Sequence, residues 1–334
     1  MISGEVQRST SPAPRSASAP SLVPAAAPLA MPSVSFDGTF RELTSSLPES
    51  VRPVLSGLPH RLGLTLEAEG QFGDFVTLHP NRELPIYAAE DASSLDGEEM
   101  SPDRVACFQR AHHLAAFYWL VRDRLADGQV TADHKLAQAG EFLHQRWVEA
   151  LTSATEDTGV AHYLIEEVTI DWERGVSVEK AVLRRGVTTP SVHGRMVVDK
   201  LRWISSASVA LLIDRGQLER AQLFRRAYDL FVLALQCIDD VNDQKEDQAL
   251  YGSSVPAALG CSSGTLMRAA PKLAARAAAV AAEGGFGRFA TWLGVFARAL
   301  STWRPEGNAI ADELGAIALA GELDGDGDDD DVCV

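Results

Sequence analysis

The chain is poor in cysteine, in aromatic residues and in long apolar runs. Its four cysteines (Cys107, Cys237, Cys261, Cys333) show no C-x-x-C or Cys/His ligand spacing. That excludes a disulfide framework and a thiolate zinc site, and points to reduced thiols in a cytoplasmic protein. No stretch of about 18 uncharged apolar residues is present, so no transmembrane helix is expected. The N-terminus lacks a compact basic-then-apolar leader, and Cys333 is followed by one residue only, so no prenylation box ends the chain. G-x-S-x-G, H-E-x-x-H, G-x-x-x-x-G-K and G-x-G-x-x-G are all missing, which weakens hydrolase, zinc-protease and nucleotide-binding readings. Clear strand alternation is lacking as well, apart from a short candidate over Phe72 to Leu78. Bases are scarce beside acids: 30 Lys and Arg against 46 Asp and Glu, a net charge of −16. Such a chain repels nucleic-acid phosphates, which argues against a DNA or RNA partner.

What is present divides the 334 residues into three regions. Residues 1–38 are dominated by Ser, Pro and Ala and read as a disordered tail, either plain or serving as a docking segment for a partner or compartment. Residues 39–321 read as an all-α domain. Helices are expected over 103–126, 131–153, 160–173, 192–214, 218–248, 263–283, 286–303 and 307–320, punctuated by Gly128, Gly175, Gly216, Gly252 and Pro256. Residues 322–334 hold seven acids and no base, and read as a solvated acidic tail.

The most informative stretch is Gln236-Cys-Ile-Asp239-Asp240-Val-Asn-Asp243, a Q-x-x-D-D-x-x-D pattern near the end of a long apolar helix. At 3.6 residues per turn Asp239 and Asp243 share a face, with Asp240 beside them and Asp247 one turn on. Like charges so spaced destabilise a helix unless something neutralises them. Mg²⁺ prefers carboxylate oxygens and is commonly shared between one or two carboxylates and substrate phosphates. Taken alone, the motif reads more readily as a solvated acidic helix end.

The flanks resemble the trans-prenyl diphosphate synthases, members of the class I isoprenoid synthases. Phe231 to Asp243 is similar to the family's second aspartate-rich helix, with Leu235 where Phe is usual. Residues 112–128, ending Asp123-Arg124-Leu-Ala-Asp127-Gly128, resemble the helix of the first motif. Ala137 to Leu143 resembles the helix that follows it, Lys200 falls where the family has a Lys-Thr pair, and Tyr251 to Ala257 resembles the loop after the second motif. The resemblance implies an isoprenoid-synthase helical bundle around a central cavity, and a homodimer. Two or three Mg²⁺ ions would be held by Asp123, Asp127, Asp239, Asp240 and Asp243. Lys200 would bind the diphosphate of an allylic prenyl diphosphate, and Gln236 would orient a carboxylate or phosphate by hydrogen bonding. Arg124 is a further candidate contact to the diphosphate, and Phe117 and Trp119 are candidates for the wall that sets chain length.

The departures shape the functional expectation. Arg124 replaces the second aspartate of the first motif, and both the Arg-Arg-Gly that follows it and the N-terminal Gly-Gly-Lys-Arg-x-Arg segment are missing. In the family those basic residues hold the second substrate of chain elongation. The leading expectation is therefore a terpene synthase that ionises one allylic diphosphate. A chain-elongating synthase whose second site draws on Arg184, Arg185 or Arg195 is the first alternative. A non-catalytic partner subunit, suggested by Arg124, is the second. Arg184-Arg185-Gly186 reads as a loop, closing over a diphosphate or merely solvated, and His112 and His113 read as structural.

Overall fold

A computed structural model describes residues 34–301, except positions 48, 50–51, 66–71, 73–78 and 97–99, together with Leu314. The helices run in the order α1 (Phe36–Ser45), α2 (Arg52–Ser56), α3 (Leu58–Arg61), α4 (His79–Asp96), α5 (Pro102–Ala126), α6 (His134–Ala154), α7 (Thr158–Arg185) and α8 (Pro190–Leu201). A 3₁₀ turn (Arg202–Ser205) leads into α9 (Ser206–Asp214), α10 (Leu218–Asn242), α11 (Gln244–Tyr251), α12 (Val255–Ala258), α13 (Ser263–Glu283) and α14 (Gly287–Ser301). Among the described residues there is no strand, and no helix is long and apolar enough to cross a membrane. The expected tail over 1–33, the helix over 307–320 apart from Leu314, and the acidic tail lie outside the described residues. So does most of the candidate strand, of which Phe72 is helical.

The two helices bearing the acidic motifs are buried on most of their faces. Helix α5 buries residues continuously from Ala111 to Trp119, and α10 does the same from Ala227 to Ala234. A helix apolar all round belongs inside a bundle rather than on its surface. Around them α10 packs on α13, α8 and α9, α5 packs on α4 and α6, and α7 packs on α8. The long helices start where a side chain supplies the missing acceptor. Ser101 accepts from the Arg104 amide, Asp133 from Leu136, Asp157 from Gly159, Thr189 from Val192 and Ser262 from Thr265.

Several boundaries differ from the sequence reading, each for a local reason. Helix α1 begins ahead of the expected domain boundary because Ser35 caps it and Phe36 is buried. Helix α4 was not expected; it carries Pro85 and is kinked at Glu83, as proline requires. Helix α7 runs through Gly175 and ends only at Gly186, which adopts φ 66°. Arg184 and Arg185 are therefore its last turn, not a loop. The single helix expected over 192–214 is broken by the 3₁₀ turn, where Ser205 and Ser206 hydroxyls donate to the Arg202 and Trp203 carbonyls. Helix 218–248 is broken at Asp243, where the apolar stripe of α10 has given way to carboxylates.

Gly175 does not interrupt α7; it lets α8 approach. A Cβ there would lie 2.9 Å from the Met196 carbonyl oxygen and 2.9 Å from Lys200 Cγ. Gly175→Ala gains about 1 kcal/mol of helix propensity but forces the two helices apart. We expect a net destabilisation of about 1–3 kcal/mol in urea denaturation. Stability equal to or above the parent would show that the contact is not tight.

Candidate functional site

The two motif helices face one another across a cavity of about 270 Å³. Helix α5 contributes Asp123, Arg124 and Asp127, and α10 contributes Gln236, Asp239, Asp240 and Asp243. Lys200 enters from α8. All eight were singled out in the sequence, and one cavity gathers them. Glu179 and Lys180 from α7 and Glu246 and Asp247 from α11 complete the polar lining, making eight carboxylates against three cations. Leu120, Leu183, Leu201 and Val255 form the apolar part.

Charge crowding dominates this site. Lys200 Nζ lies 2.5 Å from Glu179 Oε2 and 3.8 Å from Asp123 Oδ1. Burial works against its charge, but Glu179, Asp123 and Asp127 outweigh it and hold the ammonium well above its ordinary pKa. Asp127 is raised to about 6 by burial, with Asp123 and Glu179 adding to the rise and Lys200 opposing it. Asp247 is raised to about 7 by burial and then by Asp240, Asp243, Glu179 and Glu246.

On the second wall Gln236 Nε2 donates to Asp240 Oδ1 at 2.7 Å, the orienting contact expected of it. The other oxygen, Oδ2, lies 3.0 Å from His193 Nε2. The two are not aligned as a hydrogen bond, and Oδ2 is buried with no hydrogen-bond partner. Among the described residues no three His, Cys, Asp or Glu side chains converge on a point that would hold a metal by themselves. An under-satisfied buried carboxylate between two acidic walls fits Mg²⁺ as it is usually bound beside phosphates, through one or two carboxylates at a time rather than in an all-protein cage.

Phe117 and Trp119 do not line the cavity, which is bounded on α5 by Leu120. Phe117 packs on Phe36, Phe40 and Phe72, and Trp119 on Trp147, Trp172 and Trp203. Both point into interhelical core, a correction to their expected role as chain-length wall. None of the described tryptophans is among the lining residues, where Tyr251 is the one aromatic among the described residues. His112 and His113 are buried at 1% exposure and contact the Asn81 and Arg82 carbonyls, a structural role. Cys107, Cys237 and Cys261 are free thiols.

Glu179 and His193 were missed. Each belongs to no aspartate-rich motif, yet each had a positional signal. Glu179 stands one turn beyond Gly175, and His193 stands two turns before Lys200 on the same face of α8.

The raised carboxyls give a pH prediction. A carboxyl whose pKa is higher folded than unfolded costs stability once it ionises, so the cost grows as pH rises from about 4 through 7. Asp247→Asn should stabilise the cation-free protein at pH 8 by on the order of 1 kcal/mol, given partial solvent screening. The gain should vanish near pH 4. Urea denaturation at the two pH values checks it, and a gain independent of pH would remove the charge-crowding account.

Comparison with known proteins supports the fold. No family model matches the chain, and no curated protein matches it. A solved structure does: a polyprenyl synthetase from Streptomyces coelicolor A3(2), at a TM-score of 0.50 and 17% identity, covering 84% of this chain and 94% of that one. At that identity the likeness is one of architecture, and the chain has an all-α, prenyl-synthase-like fold.

Proposed function

We propose that the protein ionises an allylic prenyl diphosphate with the help of Mg²⁺, as a terpene synthase of the prenyl-synthase-like type. The observation that carries this reading is the facing pair of acidic walls, Asp123 and Asp127 against Asp239, Asp240 and Asp243, with Lys200 between them in one cavity. An anionic diphosphate cannot enter a site with five more acids than bases unless cations reverse the field. Mg²⁺ bound there would supply Lewis-acid stabilisation of the departing diphosphate.

The chain's own groups have definable parts. Lys200, held cationic, presents a fixed positive charge to the leaving group. Arg124 lines the same wall and offers a second. Gln236 fixes the rotamer of Asp240. Leu120, Leu183, Leu201 and Val255 keep water from the hydrocarbon end, so that an allylic cation is not quenched as it forms.

Ionisation without elongation is favoured by the placement of the remaining arginines. Arg184, Arg185 and Arg195 are exposed and are not among the residues lining the cavity. Their placement supports the reading in which no second diphosphate is held beside the first.

Purified protein with Mg²⁺ and geranyl, farnesyl or geranylgeranyl diphosphate should release hydrocarbon or alcohol without isopentenyl diphosphate. Asp239→Ala should lower that rate by about 100-fold or more, several kcal/mol of lost metal assistance. Longer diphosphates formed only when isopentenyl diphosphate is added would instead establish elongation. No turnover with any substrate would favour a partner subunit, in which Arg124 disables the first motif.

A further inference from the structure

We propose that His193 is a positioning residue that holds Asp240, and through it the second acidic wall, in the arrangement that takes a divalent cation. The proposal rests on the metal-dependent reading of the cavity above and assigns a role to a residue outside both aspartate-rich motifs.

Helix α8 has a side-chain contact to each wall. His193 and Lys200 are seven residues apart, two helical turns, and so project from one face. Lys200 reaches the first wall at Asp123 and its neighbour Glu179. His193 reaches the second at Asp240 Oδ2, 3.0 Å away. Gln236 also holds Asp240, but it stands on the same helix one turn back, so it fixes a rotamer and not the placement of α10 relative to α8. Beyond the packing of α8 on α10, the polar contact between the two helices comes from His193.

The burial of the pair points the same way. His193 is 1% exposed and Asp240 5%. The Nδ1 atom of His193 has no hydrogen-bond partner, so the polar approach of the ring is to Asp240 alone. An imidazole placed there for packing only would lose solvation that an apolar side chain of similar size would not. Oδ2 in turn is buried and lacks a hydrogen bond, which leaves a carboxylate oxygen not committed to a protein donor. Outer partners that orient a ligating carboxylate typically account for 10–100-fold in metal affinity.

The test is Mn²⁺ binding to the full chain, followed by electron paramagnetic resonance in the presence of inorganic diphosphate and without organic substrate. Four variants are needed: His193→Leu, His193→Gln, Asp240→Asn, and His193→Leu combined with Asp240→Asn. His193→Leu should weaken Mn²⁺ binding by about tenfold, and His193→Gln, which keeps a polar side chain able to approach Asp240 Oδ2, should recover most of it. In the Asp240→Asn background His193→Leu should add nothing, because the histidine acts through that carboxylate. A general packing role would instead add the same loss in both backgrounds, and would overturn the proposal. So would unchanged Mn²⁺ affinity in His193→Leu while the parent binds. A parent chain that takes up no Mn²⁺ removes the metal reading itself, and the proposal with it.

Discussion

Like-charge crowding around one cavity is the constraint on which the rest of this structure depends. Eight carboxylates from four helices share the space, and only three cations accompany them. The protein reduces the repulsion in two ways. It threads Lys200 between the first wall and Glu179, and it raises the pKa values of Asp127 and Asp247 to about 6 and about 7, so that part of the negative charge is given up as neutral pH is approached from above. Neither removes the excess. A fold that keeps such a site does so against its own stability, and the natural relief is a ligand that carries positive charge. The acidic composition of the chain as a whole does not explain this, because a surface charge would be solvated and screened, whereas Asp240 is buried.

Maintaining the two walls at a fixed spacing is the next requirement, and α8 meets it. Gly175 brings α8 against α7 closely enough that a methyl group would collide with the Met196 carbonyl. Just beyond Lys200 the chain is pinned by a buried ion network. Arg202 pairs with Asp171 at 2.8 Å, and Arg174 bridges Asp171 at 2.6 Å and Asp199 at 2.7 Å. Lys200 is thus flanked on both sides in sequence by residues of that network. Buried ion pairs contribute little net stability, but breaking one leaves an uncompensated charge at a cost of about 3–5 kcal/mol. Their value here is positional: they make one placement of the α8 terminus far cheaper than any other.

The legibility of all this in the sequence was uneven, for physical reasons. Helices with a strong apolar period and a capping side chain, such as α5, α6 and α13, emerged within a few residues of their true ends. The breaks at Arg202–Ser205 and at Asp243 did not, because the first rests on serine hydroxyls bonding nearby carbonyls and the second on the loss of packing, rather than on a glycine or proline. Gly175 misled in the opposite direction: it looked like an end and is a contact point. The acidic motifs were legible because their spacing is itself the chemistry. Glu179 and His193 were not, since a single polar residue in an apolar stretch declares a role only when its partner is known. Phe117 and Trp119 show the converse error. Bulk close to a motif is not bulk that faces the cavity, and a helix buried on most sides gives a side chain several directions in which to be useful.

Arg124 ties these strands together. In an aspartate-rich motif a guanidinium is an odd choice if the wall must attract cations, yet it is a sensible one if the wall is already over-charged. Asp123 and Asp127 stand with Glu179 beside them, and Lys200 acts on all three, with Lys180 adding to its effect on Asp127. A second fixed cation on that wall would lower the demand for metal there, and would leave the second wall, whose described lining residues on α10 include no cation, as the stronger claimant for a divalent ion. The two walls would then divide the work: the first meets the diphosphate with side-chain cations, and the second meets it through metal. That division makes the placement of Asp240, and hence of the helix that braces it, more consequential here than in a site where both walls carry metal equally.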